Sequence, residues 1–290
     1  MTITQTIRKI FATEDINFLL TNRIPRKGLT LFMGWISQIQ SPWFTRCALK
    51  VWSWFDDIDT AESAQTQFKS IHDFFVRALK PGARPIATDT HTLTSPCDGI
   101  IGAHGVIQDG QLYQAKGFPY TLQDLLGQEV DSQAWRDGYF VTVRIRASMY
   151  HRFHAPCDGR LQQVRYFSGD TWNVNPIALQ RVEKLFCKNE RAALIVDNTE
   201  LQHRIALVPV AAVLVASIRL HAIDTVMHLR YKGPHAIDCE HAFKRGDELG
   251  WFQHGSTILI LTPPGYALDA SLGTNDTVLM GQALLRYRSN

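Results

Sequence analysis

From Thr92 onward the chain is cut into short runs of β-branched and aromatic residues separated by Gly, Pro, Asp and Asn, and this punctuation limits what it can fold into. The runs are Gly99 to Val106, Tyr139 to Ile145, Gly159 to Tyr166, Ala193 to Asp197, Ile205 to Ile218, Thr225 to Leu229 and Ser256 to Leu261. They predict a β-rich unit, with helical interruptions confined to Thr121 to Leu126 and Asn175 to Phe186. The longest apolar run, Ile205 to Ile218, has 14 residues and contains Pro209. It is too short to span a bilayer and reads as one or two buried strands. No internal repeat stands out.

The first third has a different texture. Phe68 to Ile86 predicts a helix that starts near Ser70, ends before Pro81-Gly82 and carries Phe74, Phe75 and Leu79 on one side. Residues 1 to 50 hold seven basic residues (Arg8, Lys9, Arg23, Arg26, Lys27, Arg46 and Lys50) against Glu14 and Asp15, while the whole chain has a net charge of only +3. Phe32, Trp35, Ile36, Ile39 and Trp43 follow helical spacing, and Trp52 and Trp54 come soon after. Basic residues beside aromatic faces suit a helix lying among lipid headgroups; the same faces also suit an ordinary packed helical cap. The fold class expected is α+β: a helical, membrane-apposed region over residues 1–90, then a β-rich catalytic domain over 91–290. Five scattered cysteines with no Cys-x-x-Cys pair give neither a disulfide framework nor a cysteine zinc site, and no secretory signal is evident.

The chemistry concentrates in Gly246 to Ile260, at Gly255, Ser256 and Thr257. A Gly before a Ser leaves the preceding carbonyl open to the hydroxyl, so Ser256 can attack its own peptide bond. Conversion of amide to ester, β-elimination and hydrolysis of the resulting dehydroalanine would leave a pyruvoyl group at a new N-terminus. Taken alone, Gly-Ser-Thr is also a common turn before a strand. Two further segments share a local form, Ser95-Pro96-Cys97-Asp98-Gly99 and Ala155-Pro156-Cys157-Asp158-Gly159, and both suit a tight strand entry. The second follows Tyr150-His151-Arg152-Phe153-His154. His151 and His154 need only an orienting carboxylate to act as acid and base, whereas as metal ligands they need a third partner. No Gly-x-Ser-x-Gly elbow surrounds Ser256, which disfavours a conventional esterase.

From about Phe68 to the C-terminus the chain resembles the bacterial phosphatidylserine decarboxylase proenzymes. The ordered motifs that carry the resemblance are FFVRALKPGARPI, SPCDGIIG, QAKGFPYTLQDLL, MYHRFHAPCDG, SGDTWNVNP, LFCKNERAALI, GDELGWFQHGSTILIL and MGQALL. The resemblance implies self-cleavage between Gly255 and Ser256, with Asp98, His154 and Ser256 as the relay, and a covalent pyruvoyl cofactor made from Ser256. It implies decarboxylation of phosphatidylserine to phosphatidylethanolamine and CO2 through a Schiff base, with His151 handling substrate or a proton. It also implies no metal, no nucleic-acid partner, a large and a small chain that stay associated, and peripheral attachment to an anionic cell-membrane surface on the cytoplasmic side. A homo-oligomer is left open. His254 stands where relatives carry Leu or another small or apolar residue, and Ala211 and Ala216 stand where they often carry Gly. Two other readings compete: a metal-dependent hydrolase using Asp98, His151 and His154, and a non-catalytic lipid-binding module.

Overall fold

The computed structural model describes residues 13–114, 118–214, 217–253 and 256–288. Three helices lead, α1 (Glu14–Asn22), α2 (Arg26–Ser37) and α3 (Pro42–Trp52), followed by the short α4 (Ile71–Phe75). The rest is mostly strand: β1 (Thr92–Thr94), β2 (Gly99–Val106), β3 (Gln111–Tyr113), β4 (Pro119–Thr121), β5 (Tyr139–Ile145), β6 (Arg152–His154), β7 (Gly159–Phe167), β8 (Arg191–Asn198) and β9 (His203–Ala211). Then come β10 (Ser217–Leu220), β11 (Thr225–His228), β12 (Ala236–Phe243), β13 (Glu248–Phe252), β14 (Ser256–Thr262), β15 (Tyr266–Leu268), β16 (Thr277–Val278) and β17 (Ala283–Tyr287). Short helices interrupt them, α5 (Leu122–Leu126), α6 (Pro176–Leu179) and α7 (Leu185–Lys188), together with a 3-10 turn at Gln133–Trp135 that the sequence does not predict. The α+β class is as the sequence predicts. Among the described residues no helix is long and apolar enough to cross a membrane.

An eight-stranded sheet, in the order β12-β7-β8-β9-β14-β5-β2-β16, forms the floor of the core. Strand β14 lies inside it, paired antiparallel with β9 and β5, and Ile258 to Leu261 are all at most 1% exposed. A continuous apolar run fits this place because both faces of the strand are covered. The run Ile205 to Ile218 divides between β9 and β10, and Pro209 sits in β9 opposite Ile258. A second sheet, β11-β10-β13-β6, lies over one face of the first: the Tyr166 hydroxyl, on β7, donates to His228 O at the end of β11.

The structure also contains a repeat that sequence reading missed. Ser95 N donates to Gln282 O and Gly281 N to Ser95 O; Ala155 N donates to Asp247 O and Gly246 N to Ala155 O. Asp98 accepts from Met280 N at 2.8 Å, and Asp158 accepts from Arg245 N at 2.9 Å. Gly281 and Gly246, at φ +85° and +87°, make the same left-handed bend that a side chain would strain. The two turns lock together, because Thr94 N donates to Pro156 O and His154 N to Pro96 O. Thus β1–β2 with β16–β17, and β6–β7 with β12–β13, are two copies of one unit about a local pseudo-twofold. His154 takes the place of Thr94 in that frame.

The helical layer is inverted, with polar side chains facing inward and aromatic ones outward. The buried residues of α1 to α3 are Asn22, Thr30, Ser37 and Thr45, whereas Phe32, Trp35 and Trp43 are 51%, 66% and 75% exposed. The polar residues serve as docking points: Asn22 Oδ1 accepts from Asn173 N, and Thr30 Oγ1 from Leu214 N. Arg26 pairs with Asp170 at 2.6 Å and stacks over Trp172. The aromatic spacing that reads as one helix spans two, because α2 ends at Ser37 and Pro42 opens α3. The helix expected over 70–80 is only α4. The buried Arg77 guanidinium binds Phe74 O, Ser148 O and Met149 O, and the chain then turns into a bridge between Ser63 and Leu79.

Candidate active site

Ser256 is the first residue of β14, fully buried, and its hydroxyl has no hydrogen-bond partner among the described residues. Register places it opposite Ala211 on one side and Ile145 on the other. Three chain crossings meet at this end of the large sheet: β5 to β6, β9 to β10 and β13 to β14. The loops holding Asp170, Asn173 and Leu214, on which α1 and α2 dock, are at the same end. Gly255 and His254, as well as Ala216, lie outside the described residues. Ala211 is buried, and its carbonyl accepts from the Asn189 amide.

His151 and His154 occupy opposite ends of the β6–β13 pair. Phe252 N donates to His151 O at the end from which the chain runs on to Ser256, while His154 pairs with Glu248 at the far end. The buried His151 ring donates from Nδ1 to Met149 O at 2.8 Å and meets the Phe75 ring edge-on. His154 bonds Gly246 O through Nδ1 at 2.8 Å and the Tyr150 hydroxyl through Nε2 at 2.9 Å. A carbonyl only accepts, so Nδ1 carries the proton and Nε2 of the neutral ring accepts from Tyr150. Burial, the largest influence, lowers the His154 pKa and favours that neutral form; the Gly246 bond and the charges of Glu248 and Asp98 oppose it.

Asp98 is held bidentately by Arg84, Nε to Oδ1 at 2.9 Å and Nη2 to Oδ2 at 2.5 Å, in addition to Met280 N. Its hydrogen bonds do not reach the His154 ring. Asp98, His154 and Ser256 are therefore not linked into a hydrogen-bonded relay in this state. A polar cavity of about 190 Å³ lies beside Asp98, lined also by Arg84, Arg77, Tyr150, Asp59 and Glu62 among others. Tyr150, on its wall, is the hydrogen-bond partner of His154. Among the described residues no three His, Cys, Asp or Glu side chains converge as a metal-binding group.

Sequence reading did not single out four other side chains here. Arg84 and Tyr150 lie within quoted motifs, but their contacts with Asp98 and His154 depend on tertiary placement. Ser217 and Glu190 are buried, and each has an oxygen without a hydrogen-bond partner among the described residues. The sequence signal for Glu190 is its place in the LFCKNERAALI motif, an acid just before an apolar run.

Comparison with known proteins decides the family. A sequence model described as phosphatidylserine decarboxylase matches residues 71–286, most of the chain. The chain belongs to the phosphatidylserine decarboxylase family. The family's members are carboxy-lyases. Curated relatives named phosphatidylserine decarboxylase proenzyme, from Yersinia pestis (strain Pestoides F) and Yersinia pseudotuberculosis serotype O:1b (strain IP 31758), are each 33% identical over 289 residues. Each alignment covers 93% of this chain and 96% of the relative. The matched span takes in both Pro-Cys-Asp-Gly turns, both histidines and Ser256.

Proposed function

We propose that the protein matures by cutting itself between Gly255 and Ser256 and then decarboxylates phosphatidylserine to phosphatidylethanolamine at a membrane surface. The observation that carries this reading is the Ser256 hydroxyl. Leaving a buried polar group unsatisfied costs about 1–3 kcal/mol, and such a group at a Gly-Ser junction is well suited to be a nucleophile. In maturation, neutral His154 takes the Ser256 proton and Asp98 supports the charged ring. The oxygen adds to the Gly255 carbonyl, the C–N bond breaks and an ester forms. Loss of the Ser256 Cα proton expels the Gly255 carboxylate and leaves dehydroalanine; water then releases ammonia and leaves a pyruvoyl group at position 256. Delivery of His154 to this work requires its bond to Tyr150 to open and the ring to move toward Ser256, because in this state it lies at the far end of the β6–β13 pair.

Position 256 fits that group: it is buried, free of a hydrogen-bond partner, and faced across the sheet by the small side chain of Ala211. A pyruvoyl group supplies a ketone conjugated to an amide carbonyl, which takes up the substrate amine and accepts the electron pair left when CO2 departs. His151, buried at the Ser256 end of β6–β13, is assigned the proton returned to the carbon that lost CO2. The small chain of 35 residues, 256–290, would stay bound because β14 is hydrogen-bonded on both sides inside the large sheet. The outward Phe32, Trp35 and Trp43, with the exposed Arg23, Lys27, Arg46 and Lys50 on the same helical layer, suit peripheral contact with anionic lipid over the end of the sheet that holds Ser256.

The deciding experiment is Ser256→Ala. It should leave one uncleaved chain with no decarboxylation; cleavage or activity in that variant would remove the reading. Trp35→Ala with Trp43→Ala should weaken sedimentation with anionic vesicles, and unchanged sedimentation would make the layer a packing cap.

A further inference from the structure

The Asn189-Glu190-Arg191 segment of the LFCKNERAALI motif has no part in the mechanism above, yet it borders the same site. Ala211 N donates to Glu190 O, and Ala211 is opposite Ser256. Directly opposed residues of antiparallel strands point to the same face, so Glu190, Ala211 and Ser256 form one row, with Glu190 and Ser256 two strand spacings, about 10 Å, apart. The residue between them in that row is the small Ala211. The facing sheet brings Ser217, whose pairing partner is His228, to this end. Glu190 Oε2, Ser217 Oγ and Ser256 Oγ are all buried without a hydrogen-bond partner among the described residues.

Glu190 is also built to change protonation state. The Tyr166 hydroxyl lies 2.6 Å from Glu190 Oε1 and 2.9 Å from His228 O. One hydroxyl has one proton. When Glu190 is ionised, Tyr166 donates to it; when Glu190 is protonated, it donates to the Tyr166 oxygen, which then donates to His228 O. Rotation of a single O–H serves both states. No ion pair to Glu190 is present among the described residues, and the neighbouring Arg191 guanidinium binds Asp124 O, Leu125 O and Cys187 O instead. The other titratable groups nearby are Tyr231 and His235, which pack on the Tyr166 ring, and His228, whose Nδ1 accepts from Arg230 N.

We propose that Glu190 is the general base that deprotonates the incoming serine headgroup, making this buried polar row an ammonium-binding subsite beside position 256. The substrate amine arrives as an ammonium ion and has no electron pair to offer a ketone. Transfer of one proton from the ammonium to Glu190 Oε2 yields the free amine and a neutral carboxyl, with no other reactant needed. Burial pushes the Glu190 carboxyl up to about 7, against a lowering by the Tyr166 bond, which suits a base working near neutrality. This inference rests on the decarboxylase reading given above.

The test uses the self-cleaved protein and its Glu190→Gln variant. Intact mass first establishes that both carry the same two chains; a wild type that is uncleaved would defeat the decarboxylase reading itself. Covalent trapping of a short-chain phosphatidylserine on the small chain with borohydride is then timed by mass spectrometry across pH. The variant should trap about tenfold more slowly at about pH 7, with the gap closing as rising pH delivers the amine already neutral. Equal trapping rates, or the same fractional loss at every pH, would overturn the assignment. If Glu190→Gln does not mature, Tyr166→Phe decides. Removing the bond that favours the carboxylate should move the acidic limb of the trapping profile to higher pH, and an unmoved limb would overturn the proposal.

Discussion

The two Pro-Cys-Asp-Gly turns share a backbone frame and differ in what surrounds the aspartate. Asp158 bonds Arg245 N and pairs with Lys244, whose side chain is 79% exposed. Asp98 bonds Met280 N and pairs with Arg84, whose side chain is 6% exposed, beside a cavity that reaches Tyr150, the partner of His154. Where the first copy has Thr94, bonding its hydroxyl to Pro156 O, the second has His154. A turn that needs only an Asp and a glycine bend to hold its shape has thus been kept in both copies. The Asp98 turn has in addition been buried, and with it lies a titratable ring. Under the proposed function the two copies divide a structural from a chemical use of the motif: Asp158 has its backbone N–H and the exposed Lys244, whereas the burial of Asp98 and its pairing with Arg84 go beyond what the turn needs.

The sharpest way to break this comparison is at the non-equivalent pair. His154→Ala should accumulate uncleaved precursor, because an unassisted serine hydroxyl is a poor nucleophile, while Thr94→Ala should mature normally. Normal processing in His154→Ala would end its assignment as base. The lowered pKa of His154 adds a sign: the ring stays neutral, and cleavage stays fast, to a lower pH than an ordinary histidine would allow. A rate profile followed by gel should show its acidic fall below the usual histidine range. Next come the two aspartates. Asp98→Ala should slow maturation strongly, though less than loss of the base, and also destabilise the fold by about 1–3 kcal/mol because the buried Arg84 loses its bidentate partner and keeps only the exposed Glu62. Asp158→Ala should mature at the wild-type rate and cost only about 1 kcal/mol in a denaturant melt, since its ion pair is largely exposed. Equal maturation defects in the two would mean that Asp98, like Asp158, only shapes its turn.

Much of this was legible in the sequence where local chemistry governs. Ser256 to Leu261 reads as a buried strand because its β-branched run follows a Gly-Ser turn, and β14 has that place. Thr121 followed by Asp124 is a capping box, and α5 starts there. The failures come from distant partners. The helix expected up to Lys80 is cut at Phe75 because Arg77 is drawn into carbonyls of the 148–149 segment. The internal repeat is hidden because its two copies share little beyond Pro-Cys-Asp-Gly, and the rest of the likeness is backbone hydrogen bonding around Gly246 and Gly281. At the site, Ser256, His151 and Asp98 could be named from motifs, but the capture of His154 by Tyr150 and of Asp98 by Arg84 could not. Nothing local marks Glu190 as part of the site; only the register of β8, β9 and β14 sets it on the Ser256 row.

Self-cleavage at Ser256 is the claim on which the rest depends, and intact mass of the purified wild-type protein under denaturing conditions tests it most directly. Two species should appear in place of the 32.9 kDa chain, the smaller spanning residues 256–290 and lacking a free amino terminus. A single 290-residue chain that retains an ordinary serine at position 256 and still decarboxylates phosphatidylserine would contradict the account.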